Sequence, residues 1–235
     1  MRERNDMKQY ASHSKLICAV LLIGVAAGLL QASAAAAAVV IPDTVTVATV
    51  NGPAGGIIDV PVYIRDASGS PLGIDQPPGS RIQSYSIKVT YSPASSVQVI
   101  TFTRAGITSS LTPTFENSPS TAGTISLLDS FQESTNLIPF TLDGALPGNQ
   151  VAHLTVTLSQ SAPVGSTVTL TLDPTLTQLT DDAGDPGTTE SSGNGRLILV
   201  SGAITVLPSV PAFSHIGIAL LALVLAFAGL RILRF

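Results

Sequence analysis

The chain has 235 residues, 45% of them hydrophobic and only 11% charged, with a formal net charge of −4. Thirteen of its 15 acidic residues but only five of its 11 Lys and Arg fall within 39–206, which leaves that stretch at −8. Such an acidic, lysine-poor surface excludes nucleic acid as a partner, because phosphate contacts need basic side chains. The single cysteine, Cys18, excludes an internal disulfide framework.

In chain order the first element is a signal peptide over 1–38. Arg2, Arg4, Lys8 and Lys15 form a basic start, Leu16 to Leu30 an apolar core, and Ala32-Ser33-Ala34 with the following alanine run the small-residue cleavage sites. The expected cut lies between Ala34 and Val39. Cys18 sits near the start of the apolar core behind Ile17, so it does not mark a lipoprotein site.

Residues 39–206 have the length of one domain. Period-two alternation runs through them. Tyr85, Ile87, Val89 and Tyr91 alternate with Ser84, Ser86, Lys88 and Thr90; Ala152, Leu154, Val156 and Leu158 with His153, Thr155, Thr157 and Ser159; Val168, Leu170 and Leu172 with threonines. One face of each segment is therefore buried and the other wet. Further strands are predicted at Thr44–Val50, Ile57–Ile64, Val97–Phe102, Thr124–Leu128 and Arg196–Val206. Turn residues separate them, among them Asn51-Gly52-Pro53, Pro77-Pro78-Gly79 and Pro147-Gly148-Asn149. No segment of this region has a helical period. Short strands with frequent turns predict an all-β, two-sheet antiparallel β-sandwich, with a closed barrel as the alternative.

The chain closes with a linker and sorting motif over 207–214 and an apolar segment over 215–235. Ile216 to Leu230 would rise about 22 Å as a helix, and Ile232 and Leu233 bring it near the length that spans a bilayer. Arg231 and Arg234 would stop it on the cytoplasmic side. The expectation is a C-terminal transmembrane helix. The motif Val210-Pro211-Ala212-Phe213-Ser214-His215-Ile216-Gly217 resembles the PEP-CTERM/IPTL-CTERM sorting signals, with Pro211, Ser214 and Gly217 matching and Val210 and Phe213 keeping apolar character. That resemblance implies an exosortase-like membrane protease as a partner. It also implies a protein that is exported, anchored in the membrane by its C-terminal helix, and then delivered to the cell surface or the extracellular matrix. A single-span protein that is never processed is the alternative.

No catalytic arrangement is visible. His153 lies in the polar phase of its strand, no Gly-x-Ser-x-Gly elbow occurs, and Glu116, Glu133 and Glu190 sit in loop-like sequence where nothing singles out a pair. Asp181, Asp182 and Asp185 make a compact acidic turn followed by Glu190. They are the one candidate for calcium, and an ordinary solvated hairpin turn is the favoured reading of them. No cofactor is expected.

From Val45 to Val206 the chain resembles a cohesin domain, the nine-stranded jelly-roll module of cellulosome scaffolds. VTVATVNGPAGGIIDVPVYI is similar to the cohesin opening. IQSYSIKVTYSP is similar to the strand that ends in Tyr-Asp-Pro, with Ser92 in place of Asp. GTISLLDS, LTVTLSQSAPVGSTVTLTL and LTDDAGDPGTTESSGNGRLILVSGAITV follow in the family's order. The resemblance implies binding: in the family one flat, largely polar sheet face with a few apolar anchors grips a dockerin, a small calcium-loaded helical module. The function expected is a non-catalytic adhesion module with a dockerin-like protein partner. The alternative is binding of an extracellular polysaccharide or a structural role in its matrix. The chain has no tryptophan. Tyr85 and Tyr91 share the apolar phase of their strand, which weighs against a stacking platform for sugars.

Overall fold

The alternating runs become strands in the computed structural model, which describes residues 41–182 and 188–209. They are β1 (Asp43–Val47), β2 (Thr49–Pro53), β3 (Ile57–Arg65), β4 (Ser84–Ser92), β5 (Val97–Arg104), β6 (Phe115–Asn117), β7 (Ser120–Thr121), β8 (Thr124–Ser130), β9 (Asn149–Leu158), β10 (Thr167–Leu172), β11 (Gln178–Thr180), β12 (Glu190–Ser191), β13 (Leu197–Val200) and β14 (Gly202–Leu207).

One sheet has the order β13-β1-β3-β9-β5. In the other, β4 is the centre. It pairs with β8 along one side, and along the other with β11 and then β10. The sheet continues through β14 to β2, while β6 and β7 line the far side of β8 and β12 adds to β11. Between the sheets lie the inward phases of both: Val60, Val62 and Ile64 of β3, Leu154 and Val156 of β9, Ile87 and Val89 of β4, and Leu170 of β10, all fully buried. Each such side chain stabilises the sandwich by about 1.5–3 kcal/mol relative to exposure.

The first and last strands each serve both sheets. The runs expected as single strands at Thr44–Val50 and Arg196–Val206 are broken at Ala48 and Ser201, where the chain passes from one sheet to the other. β1 runs parallel to β13 and β2 parallel to β14, so two parallel pairs close this side of an otherwise antiparallel sandwich. Gly202 allows the crossing, because a Cβ on it would stand 2.2 Å from the Ala48 carbonyl oxygen. The other expected strands are found with ends shifted by a few residues. β6, β7, β11 and β12 were not expected; at two or three residues each they are too short to show a period. Fourteen short strands thus stand, among the described residues, where nine were implied.

The structure corrects the expectation for the two ends. Neither the N-terminal signal helix nor the C-terminal transmembrane helix is found: among the described residues no helix is long and apolar enough to cross a membrane. The helices there are three single 3-10 turns, and the strands turn one phase to the core and the other outward, so none offers an all-round apolar surface. The membrane anchor, the membrane as a partner, localisation through a C-terminal helix and the exosortase-like protease are therefore unsupported. The segments 1–40 and 210–235 lie outside the described residues. With them go the signal peptide, the motif Val210, Pro211, Phe213, Ser214 and Gly217, and the stop residues Arg231 and Arg234.

Candidate functional site

The outward phase of the second sheet is a broad hydroxyl-bearing surface. Register sets its rows. Phe115, Ser130, Ser84 and Thr180 stand side by side across β6, β8, β4 and β11. The next row is Asn117, Leu128, Ser86 and Gln178. Farther along the face come Ser126 beside Lys88, then Thr124, Thr90 and Thr171. Several hydroxyls are fixed: Ser84 Oγ donates to Ser130 Oγ at 2.8 Å and Ser86 Oγ to the Leu176 carbonyl at 2.8 Å. Lys88 meets Asp173 at 3.4 Å. The Asp173 carboxyl is held below the usual carboxylate range, first by the Thr175 amide and also by Lys88. Phe115 and Leu128 frame a shallow pocket of about 200 Å³ with Ser84, Ser86, Gln178 and Thr180. Phe115 is 53% exposed, so this polar face carries apolar anchors at its β6–β8 edge.

The first sheet's outer face also carries hydroxyls, Thr101, Thr103, Thr155 and Thr157, with Ile57 and Val99 exposed beside them. Thr155 Oγ1 donates to Asp59 Oδ1 at 2.7 Å, and His153 Nε2 lies 3.2 Å from Thr103 Oγ1. His153 is thus on the outward face, as its strand phase implied, with a threonine for a neighbour. A second hollow, about 560 Å³, is lined by Ser95, Val97, Gln98, Ser159, Gln160 and Ser161 and holds neither acid nor aromatic ring.

Two of the acids considered for catalysis are taken up by arginines. Glu116 is ion-paired with Arg104 at 3.1 Å and Glu133 with Arg81 at 3.4 Å. Among the described residues no three His, Cys, Asp or Glu side chains stand ready as a metal-ligand set. Of the acidic turn, Asp181 accepts from Thr188 Oγ1 at 2.8 Å, Asp182 accepts from the Glu133 amide at 3.3 Å, and Asp185 lies outside the described residues. Glu190, its expected companion, points into the interior with no exposure.

Sequence reasoning missed the buried acids. Asp43, Asp66, Asp129 and Glu190 are at most 2% exposed. Burial pushes Asp66 and Asp129 up to about 6 each. Asp43 and Glu190, within hydrogen-bonding reach of one another, are both raised, chiefly by burial. A signal for three of them existed in the strand phase. Asp43 shares the inward phase of Val45 and Val47, Asp66 that of Val62 and Ile64, and Asp129 that of Ile125 and Leu127.

No family model and no curated protein matches the chain. Solved structures do. The third cohesin of ScaC from Acetivibrio cellulolyticus, solved with the ScaB dockerin, superposes on 70% of this chain and 99% of its own, with a TM-score of 0.50 at 18% identity. The Coh-OlpA–Doc918 complex, a type I cohesin–dockerin complex of Clostridium thermocellum, covers 71% of this chain and 100% of its own, with a TM-score of 0.50 at 13% identity. The fold is cohesin-like. At these identities the likeness carries the fold alone. On this cohesin-like sandwich, the outer face built on β4, β8 and β11 sets a continuous polar surface beside the shallow pocket framed by Phe115 and Leu128.

Proposed function

We propose that the chain is a non-catalytic, cohesin-like adhesion module that binds a dockerin-type protein through the outer face of the second sheet. The observation that carries this reading is the character of that face: rows of Ser and Thr on β4, β8 and β10, with Phe115 and Leu128 as apolar anchors at one edge. Hydroxyl rows supply donors and acceptors without the desolvation cost of charges. Partly exposed apolar side chains beside a shallow pocket are where an interface concentrates its affinity.

Binding of a polysaccharide has less support. Tyr85, Tyr91, Phe102, Phe131 and Phe140 are buried, which leaves the exposed Phe115 and the half-buried Tyr63 on different sheets. Among the described residues no row of planar rings is available to stack on sugar units.

Calorimetric titration of the full chain against a panel of purified dockerin modules tests the proposal. Saturable one-to-one binding to a panel member is expected. Failure of every member, together with retardation of the chain in affinity electrophoresis through an extracellular polysaccharide, would transfer the function to sugar binding.

A further inference from the structure

Phe115, an anchor of the proposed face, stands on a strand with no core of its own. Every residue from 114 to 122 is exposed, so apolar burial does not hold β6 or β7 in place. β6 pairs with β8 over three residues: Phe115 with Ser130, Glu116 with Asp129 and Asn117 with Leu128. So short a ladder at the rim of a sheet opens easily, and a further tie is needed to keep Phe115 on the face.

Arg104 supplies that tie. It ends β5 on the first sheet, in the inward phase of Phe102, and reaches across the edge of the sandwich to β6 on the second. Its Nε donates to Glu116 Oε2 at 3.1 Å, and its Nη1 donates to the Thr108 carbonyl at 2.9 Å and to the Leu111 carbonyl at 2.8 Å. The guanidinium carbon lies 5.9 Å from the centre of the Phe131 ring, and the side chain is 18% exposed. The backbone it grips is itself fixed: Thr108 is fully buried, and its Oγ1 donates to the Val151 carbonyl at 2.6 Å. One side chain thus joins β6 to the Gly106–Thr108 turn, and through that turn to β9. A guanidinium suits the task because its rigid fork of donors serves several fixed acceptors at once, which a lysine ammonium does not.

We propose that Arg104 is a positioning residue of the binding face: its bonds to Glu116 and to the Thr108 and Leu111 carbonyls hold β6 so that Phe115 meets the partner already ordered. The proposal rests on the dockerin-type reading of that face. Arg104 lies in the inward phase of β5 and acts through Phe115, whose ring stands on the outer face. An anchor ordered before contact spares the complex the entropy of ordering it on binding.

The test compares the full-length wild-type chain, Arg104→Gln, Phe115→Ala and the double variant. Amide hydrogen exchange across 114–117 is followed without a partner, and affinity is measured by calorimetric titration with a purified dockerin module that binds the wild-type chain. Arg104→Gln should exchange faster there and bind about tenfold more weakly, the scale of a lost interface anchor. In the Phe115→Ala background the same change should cost no further affinity, because the side chain it positions is gone. A wild-type chain that binds no dockerin module overturns the reading of the face and, with it, the role given to Arg104. Where the wild-type chain binds, unaltered exchange or unaltered affinity in Arg104→Gln, or an equal loss in both backgrounds, overturns the positioning role and leaves the face standing. If Arg104→Gln does not fold, Glu116→Gln, which frees β6 while Arg104 keeps its carbonyls, decides in its place: faster exchange with weaker binding upholds the proposal, and wild-type behaviour overturns it.

Discussion

Asp129 occupies a position where period two calls for a hydrophobic side chain. It follows Ile125 and Leu127 on the inward face of β8, is 2% exposed, and lies beside the buried Tyr85 hydroxyl. Burial raises it to about 6, against the opposing pull of the Tyr85 hydroxyl and Arg104. The folded state therefore holds this proton more tightly than the unfolded chain, whose carboxyl titrates near about 3.9. The stabilisation is fully present below that value and is lost as pH rises through about 6. The urea midpoint of the wild-type chain should fall between about pH 4 and about pH 7, and Asp129→Asn should remove part of that fall. An identical slope in the variant would show that Asp129 does not carry the effect. At this scale the sequence was more legible than its first reading allowed, since an acid in the apolar phase of a strand marks a buried carboxylate. Glu190 is different. It follows no alternating run, and its burial arises from the way β12 adds to β11.

Single elements follow their period where they are long and escape it where they are short or change sheets. β4, β9 and β10 alternate over their lengths and were legible from alternation alone. The breaks at Ala48 and Ser201 were missed, although the inward phase shifts by one residue at each, from Val45 and Val47 to Val50 and Gly52 and from Leu197 and Leu199 to Gly202, Ile204 and Val206, as the backbone moves from one sheet to the other. Two expectations test this architecture by denaturant unfolding. Gly202→Ala places a Cβ against the Ala48 carbonyl and should cost about 1–3 kcal/mol, with the two parallel pairs forced apart. Leu154→Ala empties a fully buried position on β9 between β3 and β5 and should cost about 2–5 kcal/mol. A neutral Gly202→Ala would mean that the crossing has room the structure does not show.

On the scale of the whole molecule, the sandwich sets two hydroxyl-bearing outer faces back to back. The polar phase of each strand told which residues face outward. It did not tell which strands adjoin, and so could not bring Phe115 on β6 to the row of Ser130, Ser84 and Thr180. The anchors of the proposed interface come from long-range pairing, through a strand too short to be seen in the sequence. The resemblance to cohesins carried the fold correctly, while the anchored ends drawn from the terminal segments did not survive.

The most direct test of the binding account is surface plasmon resonance of face variants against a dockerin-type partner. Leu128→Asp and Ser86→Arg alter the second sheet's outer face, and Thr155→Arg alters the first sheet's as a control, with thermal unfolding confirming that each remains folded. The account predicts that Leu128→Asp and Ser86→Arg abolish binding and that Thr155→Arg binds as the wild-type chain does. Full binding by Leu128→Asp and Ser86→Arg, with loss only in Thr155→Arg, would contradict it and move the interface to the opposite face.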